Sequence, residues 1–362
     1  MHKKNDFLGL GIDRPEQFGN SARRQEESNR SAPPVHDCCE RRSQQRRKIC
    51  LEQILIDQRS SPQGQSAGLH SVKPKCEGYI PFTKMQGLGN DFVVIDAVTH
   101  DISLSTESIH KISDRHFGVG CDQILVLEPP TIEQPNVDFT YRIFNADGSE
   151  AGQCGNGIRC LAKFVAEHGL AHKRDLAFAT KSCKMQTHLE NDGQITVTIG
   201  NPIFEPKDIP FVAEKRALRY NLPIADCGAG FGEIEIGAVS IGNPHAVVLL
   251  EGNIADYIVA LGPLISNSKH FPERVNVNFM QVLNRKQIKL RVYERGSGET
   301  LACGSGACAA VVVGRLWGLL DSMVLVKLRG GDLLIKWDEH SDNIQMTGPA
   351  EQVFNGEIIL AR

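Results

Sequence analysis

The amino-acid sequence predicts an α+β fold of two pseudo-symmetric halves, each a mostly antiparallel sheet or barrel wrapped around one central helix. Three observations predict it. A pattern at residues 142–157, RIFNADGSEAGQCGNG, returns at residues 291–306 as RVYERGSGETLACGSG. The apolar runs elsewhere are short, β-branched and broken by Gly, Asn, Asp and Pro. Each copy of the pattern ends in a Cys-Gly-polar-Gly turn that leads directly into a helical pattern.

The repeat is detailed. In each copy an Arg lies 12 residues before the Cys, an aromatic residue follows the Arg by two, and a Glu precedes the Cys by four. The cysteines are Cys154 and Cys303, followed by Gly155-Asn156-Gly157 and Gly304-Ser305-Gly306. The duplication extends upstream, where Gly89-Asn90 resembles Gly242-Asn243. Gln123 lies 33 residues beyond Asn90, and Asn276 lies 33 beyond Asn243. Each half therefore runs Asn, amide, then Asn145 or Glu294, then Cys.

Strands are expected at residues 92–95, 124–127, 195–199 and 246–250; the third follows the hairpin signal Asn191-Asp192-Gly193. Helices are expected at 158–169, with Ile158, Leu161, Ala162 and Val165 at helical spacing, and at 307–318. The second is apolar almost all round, the mark of a buried central helix.

Composition sets the class. The 362 residues are 41% hydrophobic and 23% charged, with a net charge of -3 that argues against general nucleic-acid affinity. No apolar run approaches the roughly 18 residues of a membrane span. The first 75 residues hold 14 Lys/Arg against 9 Asp/Glu, and small basic clusters such as Arg46-Arg47-Lys48. Such a segment buries too little apolar surface to offset chain entropy, so a disordered extension is expected. Its acidic residues weaken a targeting reading, and an over-long start is the other alternative.

Eleven cysteines, not arranged as paired Cys-x-x-Cys units, argue against a zinc ribbon or a disulfide scaffold and fit the reducing cytoplasm. Cys121, Cys160 and Cys308 read as packing residues. At a helix start, the glycines admit a ligand to the backbone, and the unpaired N–H groups and helix dipole make an anion site. A thiol placed there is expected to ionise more easily. Two such ends facing each other would hold one carboxylate and place a sulfur on each face of the adjoining carbon. That arrangement suits removal of a proton from one face and its return to the other.

Several segments together resemble the diaminopimelate epimerase family. They are residues 84–92 (KMQGLGNDF), 118–123 (GVGCDQ), 141–149 (YRIFNADGS), the two cysteine turns, 242–245 (GNPH) and 273–276 (ERVN), spanning Tyr79 to the C-terminus. The resemblance implies interconversion of LL- and meso-2,6-diaminopimelate in lysine and cell-wall precursor synthesis, with two catalytic cysteines, no cofactor, no metal and a homodimer. It implies that Cys154 and Cys303 are the catalytic pair, and that Gly155, Asn156, Gly304 and Ser305 bind the reacting carboxylate. Asn90, Gln123, Asn145, Asn243, Asn276, Glu294 and Arg295 would hold the substrate, and His245 and Glu294 would tune the thiols. Phe354 stands where the family often has a Tyr at the dimer contact. Residues 1–78 have no counterpart in the usual family pattern.

The expected division is therefore an extension at 1–78, an N-terminal half at 79–199 to which 350–362 return, and a C-terminal half at 200–349. The alternatives are a two-thiol racemase of the proline or hydroxyproline type and a thiol redox or metal-binding protein. Asn145, Asn276 and Arg295 argue against the racemase, because a small cyclic substrate has no second amino-acid head.

Overall fold

The computed structural model describes residues 78–224, 232–252, 254–340 and 343–360. The N-terminal extension, and with it the expectation of disorder or targeting, lies outside the described residues.

The first half opens with a hairpin of β1 (Tyr79–Gly87) and β2 (Asn90–Asp96). Helix α1 (Thr106–Ser113) crosses over so that β3 (Gln123–Glu128) lies parallel to β2. Strand β4 (Phe139–Asn145) returns antiparallel to β3 and forms a short hairpin with β5 (Glu150–Ala151). Helix α2 (Gly155–Glu167) then crosses to β6 (Asp175–Ala179), parallel to β4. Strands β7 (Lys184–Leu189) and β8 (Ile195–Gly200) finish the half as a meander.

After β9 (Tyr220–Pro223), the second half repeats this path. It runs β10 (Glu233–Ser240), β11 (Pro244–Leu249), α3 (Ala255–Ser266), β12 (Asn276–Asn284), β13 (Gln287–Glu294) and β14 (Gly298–Thr300). It continues with α4 (Gly304–Leu316), β15 (Met323–Leu328), β16 (Gly331–Lys336) and β17 (Ile344–Gly348). The pairings match those of the first half, including the parallel pairs β11–β12 and β13–β15. The register matches as well, with Phe92 opposite Gln123 and His245 opposite Asn276. Strand β17 pairs antiparallel with β8 and so stitches the halves together. The last strand, β18 (Glu351–Ile359), returns to pair with β1.

The fold is thus α+β with two repeated domains. One apolar cluster surrounds α2 and α4 and spans both halves. A smaller cluster lies under α3 in the second half and another under α1 in the first. Residues 306–314 of α4 are all buried, as its apolar sequence predicts. The expected strands all form, and the helices begin three residues earlier than the apolar periodicity shows, at the glycine after each Cys.

Two helices escaped the sequence reading. The α1 helix has only 8 residues, too few for a clear periodicity, although Ser105 caps it by accepting from Ser108 N–H. The α3 helix contains Pro263, whose preceding Gly262 makes the segment read as a loop. Its Ile258, Leu261 and Ile265 nevertheless share one buried face.

Candidate active site

Cys154 and Cys303 are the N-cap residues of α2 and α4, with extended backbones at φ -148° and -129°. An N-cap side chain ordinarily supplies an oxygen to the first helical N–H groups. Here each sulfur does so, accepting at 3.4 Å from Gly157 N–H and Gly306 N–H respectively. Ser305 Oγ also lies 3.5 Å from the Cys303 sulfur. The turns converge on one side chain: a Cβ on Gly155 would come within 3.0 Å of Met346 Cε, and one on Gly304 within 2.9 Å of Met346 Sδ. Both helix N-termini therefore face a common place at the junction of the halves.

The Gly-Asn turns close this place from both sides. Gly89 and Gly242 have φ of 83° and 84°, a conformation that L side chains rarely adopt. A Cβ on Gly89 would lie 2.7 Å from Leu301, just before Cys303, and one on Gly242 would lie 2.6 Å from Gln153, just before Cys154. Each half thus lays its own turn against the cysteine segment of the other.

Of the expected site residues of the first half, Asn90 meets Cys154 and Asn156 directly. The Cys154 thiol lies 3.8 Å from Asn90 Oδ1, which also accepts from Asn156 Nδ2 at 3.3 Å. Asn90 Nδ2 donates to Asp122 at 2.9 Å. Gln123 donates to Asn145 at 2.8 Å, so two expected substrate ligands hold each other. Sequence reasoning missed the support behind Asn90. Arg115 bonds both Asp91 and Asp122, while Lys84 bonds Asp91 and the Gly120 carbonyl. Burial opposes the Asp91 charge, but the bonds from Arg115 and Lys84 outweigh it and hold the carboxyl well below the usual range.

The second half builds differently on the same frame. Where β2 has Phe92, β11 has His245, and both of its ring nitrogens are engaged. Asn278 Nδ2 donates to Nδ1 at 3.1 Å, so Nε2 carries the proton and donates to Asn243 Oδ1 at 2.9 Å. Burial, then the nearby Arg295 charge, drive the His245 pKa down to about 3, and the ring is neutral. Asn276 Oδ1 accepts from Arg295 N–H at 2.9 Å and fixes the turn that leaves Arg295 exposed. Glu294 accepts from Thr300 Oγ1 at 2.6 Å and from the Cys303 thiol. Burial raises the Glu294 pKa against these bonds.

One expectation is corrected. The helix N-termini do not make these thiols acidic. Burial pushes Cys154 up, and N–H bonds from Gly157 and Asn156 recover only part of the shift. Burial, then the Glu294 charge, push Cys303 up as well. Loss of water around the sulfur outweighs a few oriented dipoles.

The flanking parts of the repeat serve structure. Arg142 pairs with Glu150 at 3.2 Å and Arg291 with Glu299 at 2.5 Å, clasping the two short hairpins in the same way. Cys160 and Cys308 are fully buried and pushed up to about 12 by burial, as core thiols should be. Cys121 is buried beside Ser113. Phe354 is 46% exposed on β18, with its ring edge-on to Phe82. Among the described residues, no group of three or more His, Cys, Asp or Glu side chains is arranged to hold a metal ion. Among them, too, no helix is long and apolar enough to cross a membrane.

This duplicated fold is shared with known epimerases and related proteins. A hydroxyproline epimerase from Agrobacterium vitis superposes with a TM-score of 0.57 at 14% identity, over 79% of this chain and 94% of that one. A Bacillus anthracis phenazine biosynthesis protein of the PhzF family gives 0.55 at 16% identity, over 78% and 99%. These likenesses show a shared two-domain fold. The sequence is more specific: residues 82–205 and 237–353 match the diaminopimelate epimerase family. The chain is also 50% identical over 281 residues to the diaminopimelate epimerase of Nitrosospira multiformis, covering 78% of this chain and 99% of the relative. The chain belongs to the diaminopimelate epimerase family and is an isomerase.

Proposed function

We propose that the protein interconverts LL- and meso-2,6-diaminopimelate in the cytoplasm, without a cofactor, on the route to lysine and peptidoglycan precursors. The observation that carries this reading is the pair of cysteine N-caps whose turns converge on Met346. N–H groups of the Gly155-Asn156 and Gly304-Ser305 turns hold the reacting carboxylate, and one sulfur lies on each face of the α-carbon. A thiolate takes the α-proton and becomes a thiol, while the carbon electron pair delocalises into the carboxylate. The opposite thiol gives its proton to the other face and becomes a thiolate. Each preorganised N–H donor contributes about 3 kcal/mol to the anionic intermediate. The raised thiol pKa values suit a weak carbon acid, because a more basic thiolate removes its proton more readily.

Asn90, Gln123, Asn145, Asn243, Asn276, Glu294 and Arg295 hold the substrate, with Asn145, Asn276 and the exposed Arg295 guanidinium serving its distal amino-acid head. The division of the chain at residues 199/200, with 350–362 joining the first half, belongs to the same proposal. So does a homodimer through β18, where Val353 is 57%, Phe354 46% and Ile359 58% exposed.

The test is incubation with LL-diaminopimelate in deuterated water, followed by NMR of the α-carbons. Deuterium enters one centre as meso product forms. Uptake with proline or hydroxyproline but none with diaminopimelate would overturn the substrate assignment.

A further inference from the structure

Arg159 is the bulkiest fully buried side chain among the described residues. It lies on α2, in the turn that follows the Cys154 cap, and its guanidinium folds back toward the positive end of that helix. Two costs meet here. A buried charge without a counter-charge is unfavourable, and a cation near a helix N-terminus opposes the dipole. Its polar contacts are all neutral. Nε donates to the Pro349 carbonyl at 3.2 Å, Nη1 to the Gly155 carbonyl at 3.2 Å and to Met346 Sδ at 3.8 Å, and Nη2 to Asn156 Oδ1 at 3.0 Å. The ionisable groups that bear on it are the thiols of Cys160, Cys154 and Cys308.

The slot is built for this group. A Cβ on Gly87 would lie 3.4 Å from Nη2, and one on Gly348 would lie 3.4 Å from Nε, so glycines line the guanidinium at the ends of β1 and β17. The other half has no equivalent: five residues beyond Cys303 stands Cys308, where Arg159 lies five beyond Cys154.

We propose that Arg159 is a positioning residue for the epimerisation: it is the fixed positive charge against which the anionic site assembles, and it aims the Asn156 amide. The second role is a direct chain of contacts. Arg159 holds Asn156 Oδ1, which leaves Asn156 Nδ2 to donate to Asn90 Oδ1, the atom beside the Cys154 thiol. The first role completes the charge balance. A thiolate and a substrate carboxylate bring negative charge beside a cation that has no carboxylate partner among the described residues. The inference rests on the two-thiol reading of Cys154.

The experiment compares wild type with Arg159→Met and Arg159→Lys, following alkylation of Cys154 by iodoacetamide across pH with mass-spectrometric site assignment. Arg159→Met moves the alkylation midpoint upward by about one unit, a tenfold loss of thiolate at a given lower pH. The same variant loses epimerase kcat by about a hundredfold or more. Arg159→Lys restores the alkylation profile but not the full kcat, since an ammonium keeps the charge without the guanidinium fork. A folded Arg159→Met with the wild-type alkylation profile overturns the inference. Should that variant not fold, Arg159→Gln replaces it, with the same upward shift expected and an unchanged profile equally fatal. Failure of diaminopimelate to protect wild-type Cys154 from alkylation would count instead against the two-thiol reading.

Discussion

Among single residues, the two catalytic candidates differ in their charged surroundings. Cys154 has the buried Arg159 behind it, whereas Cys303 bonds Glu294. After burial, the Glu294 charge is the largest influence raising the Cys303 pKa. Glu294→Gln is therefore expected to speed alkylation of Cys303 several-fold at pH 8, read by mass spectrometry; a slower rate would mean that Glu294 instead activates the sulfur. His245 supplies a second prediction. Its pKa is depressed to about 3 in the folded protein against an ordinary value of 6.5. Between those values the unfolded chain binds the extra proton, so the contribution is present above pH 6.5 and is lost as pH falls toward 3. Urea unfolding at pH 7 and pH 4.5 should show this loss, and His245→Gln should make the difference smaller. Equal pH slopes in the two proteins would contradict a buried neutral ring.

At the level of elements, the repeated hairpins carry their own test. The Arg291–Glu299 pair is about 20% exposed on both sides, and Arg329 also reaches Glu299 at 3.2 Å. The Arg142–Glu150 pair is more open, at 39% and 29%. Glu299→Gln should cost about 1–2 kcal/mol in urea unfolding, against less than about 1 kcal/mol for Glu150→Gln. A reversed order would contradict the burial argument. These elements also show what the sequence can reveal. The frames of the repeat placed Asn90, Gln123 and Asn145 opposite Asn243, Asn276 and Glu294, and the strand registers agree. The central helices were legible because each follows a Cys-Gly turn. The α1 and α3 helices were not, since one is short and the other is interrupted by Gly262-Pro263. The Lys84–Asp91–Arg115–Asp122 cluster was hidden because its members meet only after β1, β2 and the α1–β3 loop come together. The raised thiol pKa values were equally hidden: burial depends on the closure of both halves, which no local motif encodes.

For the whole molecule, the halves are joined by the β8–β17 pair and closed by the reciprocal Gly89 and Gly242 turns. Gly89→Ala and Gly242→Ala each combine a strained positive φ with a clash against the opposite half. Each is expected to lower kcat about tenfold or more, while the local strain costs only about 1–2 kcal/mol of stability. Steady-state kinetics beside thermal unfolding separates the two effects, and unchanged kcat would mean that closure through these turns is not needed for turnover.

The central claim is that Cys154 and Cys303 act from opposite faces of one carbon. It is tested most directly by assaying LL-to-meso conversion by Cys154→Ser and Cys303→Ser at matched folded concentration. Each variant is expected to lose at least about a thousandfold in kcat, because either substitution removes one of the two required proton carriers. Full activity in either variant would contradict the two-thiol mechanism.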